Sequence, residues 1–233
     1  NDCSMTLQPG ELVGVSGPNG AGKTTVFNMI KGAYAPTSGE VLWQEEKITR
    51  LPVQQITARG IARTCQIIRL FTALTVLENV MVSMHHKIQS QFWEAMLGFS
   101  RYREERRRMH EESMDYLQEM GLAHLADEKA SSLAYGQQRR LEIARALATR
   151  PRLLLLDEPL LGLSPIMQKT LVEAILKIRS ETGLTIVVTE QFARPILPVI
   201  DHGYVVENGM LSLDGPGLEL MENPEVKAAY FGV

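Results

Sequence analysis

Three continuous apolar runs organise the chain: Leu12-Val13-Gly14-Val15-Ser16, Leu153-Leu154-Leu155-Leu156 and Thr185-Ile186-Val187-Val188-Thr189. Runs apolar on both faces predict parallel strands covered by helices. A glycine-rich turn follows the first run, and then a helical stretch from Lys23 to about Lys31. Between the second and third runs, Met167, Leu171, Ile175 and Ile178 recur at helical spacing and predict a crossover helix with one apolar face. From about Ile67 to Ser132 the pattern changes to helical periodicity with few strand signals, dense in charge in its second half. This predicts a mostly helical subdomain inserted into an α/β core made of residues 1–66 and 133–233. Near the end, Tyr204-Val205-Val206 and Met210-Leu211-Ser212-Leu213 flank Asn208-Gly209. That pair suits a tight hairpin turn with positive φ.

Composition narrows the possible partners. The 233 residues carry 24 basic and 27 acidic side chains, a formal charge of -3, which argues against a nucleic-acid partner. A basic run, Arg101, Arg103, Arg106, Arg107 and Arg108, is interleaved with Glu104, Glu105, Glu111 and Glu112 and reads as a solvated helix face. Two cysteines, Cys3 and Cys65, are too few for a disulfide framework and match no metal spacing. No apolar stretch approaches the ~20 residues that cross a bilayer, and the first residues form no signal peptide. The expectation is a cytosolic protein unless a partner holds it at a membrane.

Gly17-Pro18-Asn19-Gly20-Ala21-Gly22-Lys23-Thr24 fits G-x-x-x-x-G-K-[ST] at every position, with Thr25 next in the helix. Glycines let the backbone wrap so that N–H groups point at phosphate oxygens, and the helix adds its positive end. Lys23 should reach the β- and γ-phosphates of ATP, and the Thr24 hydroxyl should ligate Mg²⁺. A strand before and a helix after make a chance match a poor account. The second apolar run delivers Asp157 and Glu158 to a strand end. Asp157 suits a water-mediated contact to Mg²⁺, and Glu158 suits a general base that polarises the attacking water. Taken alone, these could be two surface carboxylates. Beside the phosphate loop they read as functional, on the expectation that the two strands lie side by side.

Leu133-Ala134-Tyr135-Gly136-Gln137-Gln138-Arg139-Arg140-Leu141 precedes Asp157-Glu158-Pro159. It is similar to the signature motif of ABC ATPases, and phosphate loop, signature and Asp-Glu-Pro in this order resemble that family over almost the whole chain. The resemblance implies a P-loop NTPase core with an inserted helical subdomain and a small β-subdomain, here truncated at its N-terminus. It implies ATP and Mg²⁺ as ligands. It also implies a head-to-tail dimer of homologous ATPase subunits, in which Ala134, Tyr135, Gly136 and Gln137 of one subunit face the nucleotide of the other. Gln66 sits where the family's Q-loop glutamine contacts Mg²⁺. Gly60-Ile61-Ala62-Arg63-Thr64-Cys65-Gln66, Arg69-Leu70-Phe71, Leu74-Thr75-Val76-Leu77-Glu78-Asn79 and the charged insertion around Phe92 to Met120 resemble LivG-type branched-chain amino acid importer ATPases. Glu190-Gln191, Gly203 to Gly209 and Ala228-Ala229-Tyr230-Phe231-Gly232 lean towards the companion LivF type. This resemblance implies transmembrane permease subunits, an extracytoplasmic solute-binding protein, and a peripheral place on the cytoplasmic face of a bacterial inner membrane. It implies that the segment from Ile67 to Val82 docks a permease helix, although Leu70, Phe71, Leu74 and Leu77 can equally be core. Urea or short amides are alternative cargoes, and a weakly hydrolysing regulatory module is an alternative role.

Four positions depart from the family pattern. Ala134 replaces the usual signature serine and removes one donor to the γ-phosphate, about 1.5–3 kcal/mol at most. Gln191 stands where most members carry a switch histidine; its amide can donate to the γ-phosphate but cannot become cationic, so hydrolysis should be slower or less pH-sensitive. Ser164 takes the place of the aspartate after Asp-Glu-Pro, which should weaken communication across the dimer. Only Asn1 to Glu11 precede the first core strand, and the first aromatic residue, Phe27, comes after the phosphate loop. The family's adenine-stacking aromatic is therefore missing, and the expectation is a fragment lacking its start.

Overall fold

Leu12–Ser16, buried at all five residues, form β1 in the computed structural model, which describes residues 3–64, 66, 68–84, 100–191 and 194–230. The chain divides into two compact units, residues 1–66 with 151–233, and residues 67–150.

The first unit is built on a six-stranded sheet. After β1 come α1 (Lys23–Ile30), β2 (Leu42–Trp43), β3 (Glu46–Lys47), α2 (Val53–Ala58) and β4 (Ile61–Arg63). After the second unit come β5 (Leu153–Asp157), α6 (Pro165–Thr182), β6 (Thr185–Glu190), β7 (His202–Glu207), β8 (Met210–Pro216), α7 (Gly217–Glu222) and α8 (Pro224–Tyr230). The strand order is β4-β5-β6-β1-β7-β8, parallel from β4 to β7, with β8 antiparallel to β7. All three apolar runs are strands buried throughout, as expected of chain covered on both faces.

The strands that carry the phosphate loop and Asp157 are not neighbours, contrary to the sequence expectation. β6 pairs with both, Val13 opposite Val187 and Leu155 opposite Val187. The parallel crossover through α6 returns the chain beside β5, and β6, buried on both faces, takes the centre. β1 and β5 still end on the same edge, with the end of β6 between them.

α6 buries Leu171, Val172, Ile175 and Ile178 and begins with Pro165, where a missing N–H costs nothing. Asn208 (φ 50°) and Gly209 (φ 76°) form the two-residue turn between Glu207 and Met210, the mirror-image turn that the dipeptide predicts. β2 and β3 form a separate two-stranded pair. Val13, Val15, Phe27, Ile61, Leu155 and Val206 belong to one buried cluster.

The second unit is helical: α3 (Val76–Ser83), α4 (Ser100–Glu119) and α5 (Tyr135–Leu147), with 3-10 turns at Ala123–Leu125 and Ala130–Ser132. It extends past residue 132, where the sequence reading ended it, because α5 buries Leu141, Ile143 and Ala144 and packs on α3 and α4. Thr75 and Glu78 cap α3 reciprocally, Glu78 N–H to Thr75 Oγ1 at 3.1 Å and Thr75 N–H to Glu78 Oε2 at 2.8 Å. Asn79, fully buried, accepts from Phe71 N–H at 2.9 Å and donates to the carbonyls of Phe71 and Thr75 at 3.0 and 2.8 Å. This staples the turn before α3. Leu77 is core at 9% exposure, whereas Phe71 is 48% exposed with the Arg145 guanidinium 5.0 Å from its ring centroid. Arg108 pairs with Glu104 at 2.6 Å and Arg107 with Glu111 at 3.9 Å on the exposed face of α4; such pairs add little stability. Cys65, the part of the charged insertion from Phe92 to residue 99, and Phe231-Gly232 lie outside the described residues. Among the described residues no helix is long and apolar enough to cross a membrane.

Candidate active site

The parallel strands deliver their C-terminal ends to one edge of the first unit, which is where ligands bind in open α/β sheets. Residues 17–22 connect β1 to α1 there. Gly17 is packed so closely on β7 that a Cβ would lie 2.3 Å from the Val206 carbonyl oxygen, so only glycine fits. The hairpin tip supports the same loop, with Gly209 N–H donating to the Ala21 carbonyl at 2.9 Å. Pro18, Asn19 and Gly20 form an exposed crown, Ala21 is buried, and Thr24 is half-buried in the first turn of α1. The first N–H groups of that helix have no acceptor within it and point out of its positive end.

Lys23 folds back under the loop. It is 4% exposed, and its ammonium donates to the carbonyls of Gly17 at 2.7 Å and Pro18 at 3.1 Å. It also lies 3.6 Å from Glu158 Oε1. The other Glu158 oxygen accepts from the Gln66 amide at 3.1 Å. Glu158 is 5% exposed, and its φ of 47° is unusual for a non-glycine residue. Its N–H contacts the carbonyl and hydroxyl oxygens of Thr189 at 3.1 and 3.2 Å, which holds the strained turn in place. Strain of this kind, on the order of 1–3 kcal/mol, gathers at functional positions. Three residues distant in sequence, Lys23, Gln66 and Glu158, thus meet within hydrogen-bonding or ion-pair range.

Asp157 ends β5 with no exposure. Its Oδ1 accepts from the Thr189 hydroxyl at 2.8 Å and its Oδ2 from Arg63 at 2.7 Å. Among the described residues no group of three His, Cys, Asp or Glu could hold a metal ion. Thr24, Gln66 and Asp157 all offer oxygen donors. That fits Mg²⁺, which keeps several waters and uses one or two protein oxygens beside phosphate. With both Asp157 oxygens engaged, a contact through water suits it better than direct ligation.

Gln191 follows β6 directly and is half-buried between the ends of β5 and β1. If its amide replaces a switch cation, Gln191→His should raise phosphate release several-fold and give it a pH dependence near the histidine range; an unchanged rate and profile would remove Gln191 from the site. The signature residues belong to the second unit. Ala134 precedes α5, and the Gln137 side chain accepts from its N–H at 2.9 Å; Ala134 and Tyr135 are exposed and Gly136 is buried. Tyr135 Oη accepts from Arg139 at 3.1 Å, and Arg139 pairs with Glu142 at 3.0 Å. Ser164 is exposed at the start of α6. Phe27 is fully buried, so it offers no face to an adenine ring.

Sequence reasoning missed four supporting residues. Thr189 holds both Asp157 and Glu158. Glu190, 4% exposed, accepts from Leu160 N–H at 2.9 Å and holds the loop after Glu158. Arg63 and Asn28 form a further pair at 2.5 Å. For Arg63, Thr189 and Glu190 the available signal was polar residues ending strands otherwise apolar, since polar groups there must find partners.

The family model described as ABC transporter matches residues 1–161. The chain is similar to the high-affinity branched-chain amino acid transport ATP-binding protein LivG of Escherichia coli, 39% identical over 232 residues, covering 100% of this chain and 91% of that protein. It is similar to a solved nucleotide-free ATP-binding cassette from an ABC transporter, with a TM-score of 0.81 at 30% identity, covering 98% of this chain and 90% of the other. It is also similar to the dimeric post-hydrolysis state of the MJ0796 cassette bound to ADP and Pi, with a TM-score of 0.78 at 26% identity, covering 92% and 89%.

Proposed function

The chain belongs to the ABC transporter family as one of its ATP-hydrolysing subunits, and from that premise we propose that it powers bacterial import of branched-chain amino acids. The observation that carries the chemistry is the meeting of Lys23, Gln66 and Glu158 beneath the phosphate loop. The likeness to LivG over the full chain supports the cargo class.

The loop N–H groups and the start of α1 receive the phosphates. Lys23 exchanges the Gly17 and Pro18 carbonyls for β- and γ-phosphate oxygens, which frees the Glu158 carboxylate it now faces. Glu158 then accepts the proton of a water whose oxygen attacks the γ-phosphorus, as the bond from that phosphorus to the ADP oxygen breaks. Gln66, bonded to Glu158, orients the water and reports the nucleotide to the segment that follows it. Gln191 donates to a γ-phosphate oxygen. Thr24, Gln66 and Asp157 would hold Mg²⁺, Asp157 through water, and positive charge supplied there would offset that of the phosphates.

The signature residues Ala134 to Gln137, at the N-terminus of α5, serve the nucleotide of a second ATPase subunit, a copy of this chain or a companion. The dimeric ADP- and Pi-bound relative supports the pairing of two such subunits. Closing and reopening that pair moves two permease subunits at the cytoplasmic face of the membrane, fed by an extracytoplasmic solute-binding protein. The exposed Phe71, held by Arg145, suits the permease contact.

The test is uptake of labelled leucine in the native host carrying Glu158→Gln, with labelled urea in parallel. Loss of leucine uptake with urea uptake unchanged is the expected result. Leucine uptake at the wild-type rate would overturn the cargo assignment.

A further inference from the structure

The nucleotide site contains a second cation, the half-buried Arg63, at the end of β4. Its side chain is 14% exposed beside the fully buried Asp157 carboxylate. One guanidinium nitrogen donates to Asp157 Oδ2 at 2.7 Å and another to Asn28 Oδ1 at 2.5 Å. The guanidinium carbon lies 5.6 Å from the Phe27 ring centroid. Nε is buried with no partner among the described residues, so this side chain is held by these contacts at some cost. Asn28 and Phe27 lie on α1, the helix that carries Lys23, and Asp157 ends β5. Gln66 follows Arg63 by three residues. One side chain therefore joins the phosphate-loop helix, the Asp157 strand and the strand leading to Gln66.

Stability alone does not require the ion pair, because apolar residues of similar volume commonly replace both partners without loss, but with Asp157 kept for the ligand its buried carboxylate needs a compensating charge. Charge gives a reason. Asp157, Glu158 and Glu190 bring three negative charges to the edge that receives phosphates, and Lys23 and Arg63 offset part of that charge. Without Arg63 the protein side of the site becomes more negative by one charge. Repulsion then falls harder on metal-free nucleotide than on its Mg²⁺ complex, which carries less charge.

We propose that Arg63 is a positioning residue of the nucleotide site, which fixes Asp157 against α1 and offsets its charge, and so sets how strongly nucleotide binding depends on Mg²⁺. The proposal rests on the reading of this edge as a Mg²⁺–ATP site. The test measures the dissociation constant of a fluorescent, non-hydrolysable ATP analogue in EDTA and in excess Mg²⁺, and takes the ratio of the two. In Arg63→Met the ratio should rise about tenfold over wild type, because the lost charge penalises the metal-free ligand most. Arg63→Gln keeps an amide donor with no charge and should raise the ratio likewise, which covers the case that methionine disturbs the strand end. Arg63→Lys, which keeps the charge, should leave it near wild type. A ratio unchanged in the folded neutral variants, with both affinities weakened alike, would overturn the proposal and leave Arg63 a structural clamp. A wild-type protein that binds the analogue in neither condition would overturn the Mg²⁺–ATP reading itself.

Discussion

Glu158→Gln should lower the rate of phosphate release by about 10²- to 10⁴-fold, the range expected when a general base is removed. Nucleotide affinity should stay within about threefold of wild type, because the substitution is isosteric and takes a negative charge away from the phosphates. The fold should tolerate it. Glutamine faces the same strain as glutamate at a φ of 47°, and the backbone bonds to Thr189 remain. The Lys23 ammonium keeps its two carbonyl partners. Phosphate release and equilibrium binding of labelled ATP, measured on the same preparation, separate the two effects. A variant that hydrolyses ATP at the wild-type rate would remove Glu158 as base. A variant and a wild type that are both inactive, while still binding ATP, would make the chain an ATP-dependent regulatory module.

The parts of this site legible in the sequence are those fixed by local rules. The phosphate loop declares itself through glycines and a lysine at set spacing, and the Asn208-Gly209 turn through the φ values it needs. β1, β5 and β6 show as runs apolar on both faces. Strand order was not legible, because it depends on which buried strand the crossover helix returns to the centre, and nothing local to β5 or β1 encodes β6 between them. The edge of the helical unit was misplaced for a similar reason. α5 starts at the signature, so its motif reads as part of the core, but its apolar face, Leu141 and Ala144, belongs to α3 and α4. Asn79 was visible only as part of a resemblance. That it is fully buried and bonded to Phe71 and Thr75 depends on how the chain turns before α3. The pairing of Arg63 with Asp157 joins residues 94 apart in sequence and follows only once β4 and β5 are known to be neighbours.

Lys23→Met should have two separable effects. Nucleotide affinity should fall by about 10²-fold or more, since the ammonium makes charge-assisted bonds to phosphate worth roughly 1.5–3 kcal/mol each. The ligand-free protein should also lose stability. Lys23 and Glu158 are 3.6 Å apart with side chains 4% and 6% exposed, and removing one partner of a buried pair leaves the other charge uncompensated. Gln66 remains bonded to Glu158, but an amide does not balance a carboxylate. In a Glu158→Gln background that charge is absent, so adding Lys23→Met should cost less than it does in wild type. The coupling expected for groups in such contact is on the order of 1–3 kcal/mol. Urea unfolding of the wild type, the two single variants and the double variant without nucleotide measures it. Strictly additive losses would mean that the buried pair does not interact energetically. Lys23 would then be held by the Gly17 and Pro18 carbonyls alone, and its release to phosphate would not free Glu158. A positive coupling ties the two events, so that the side chain that captures the nucleotide is the one whose departure readies the base.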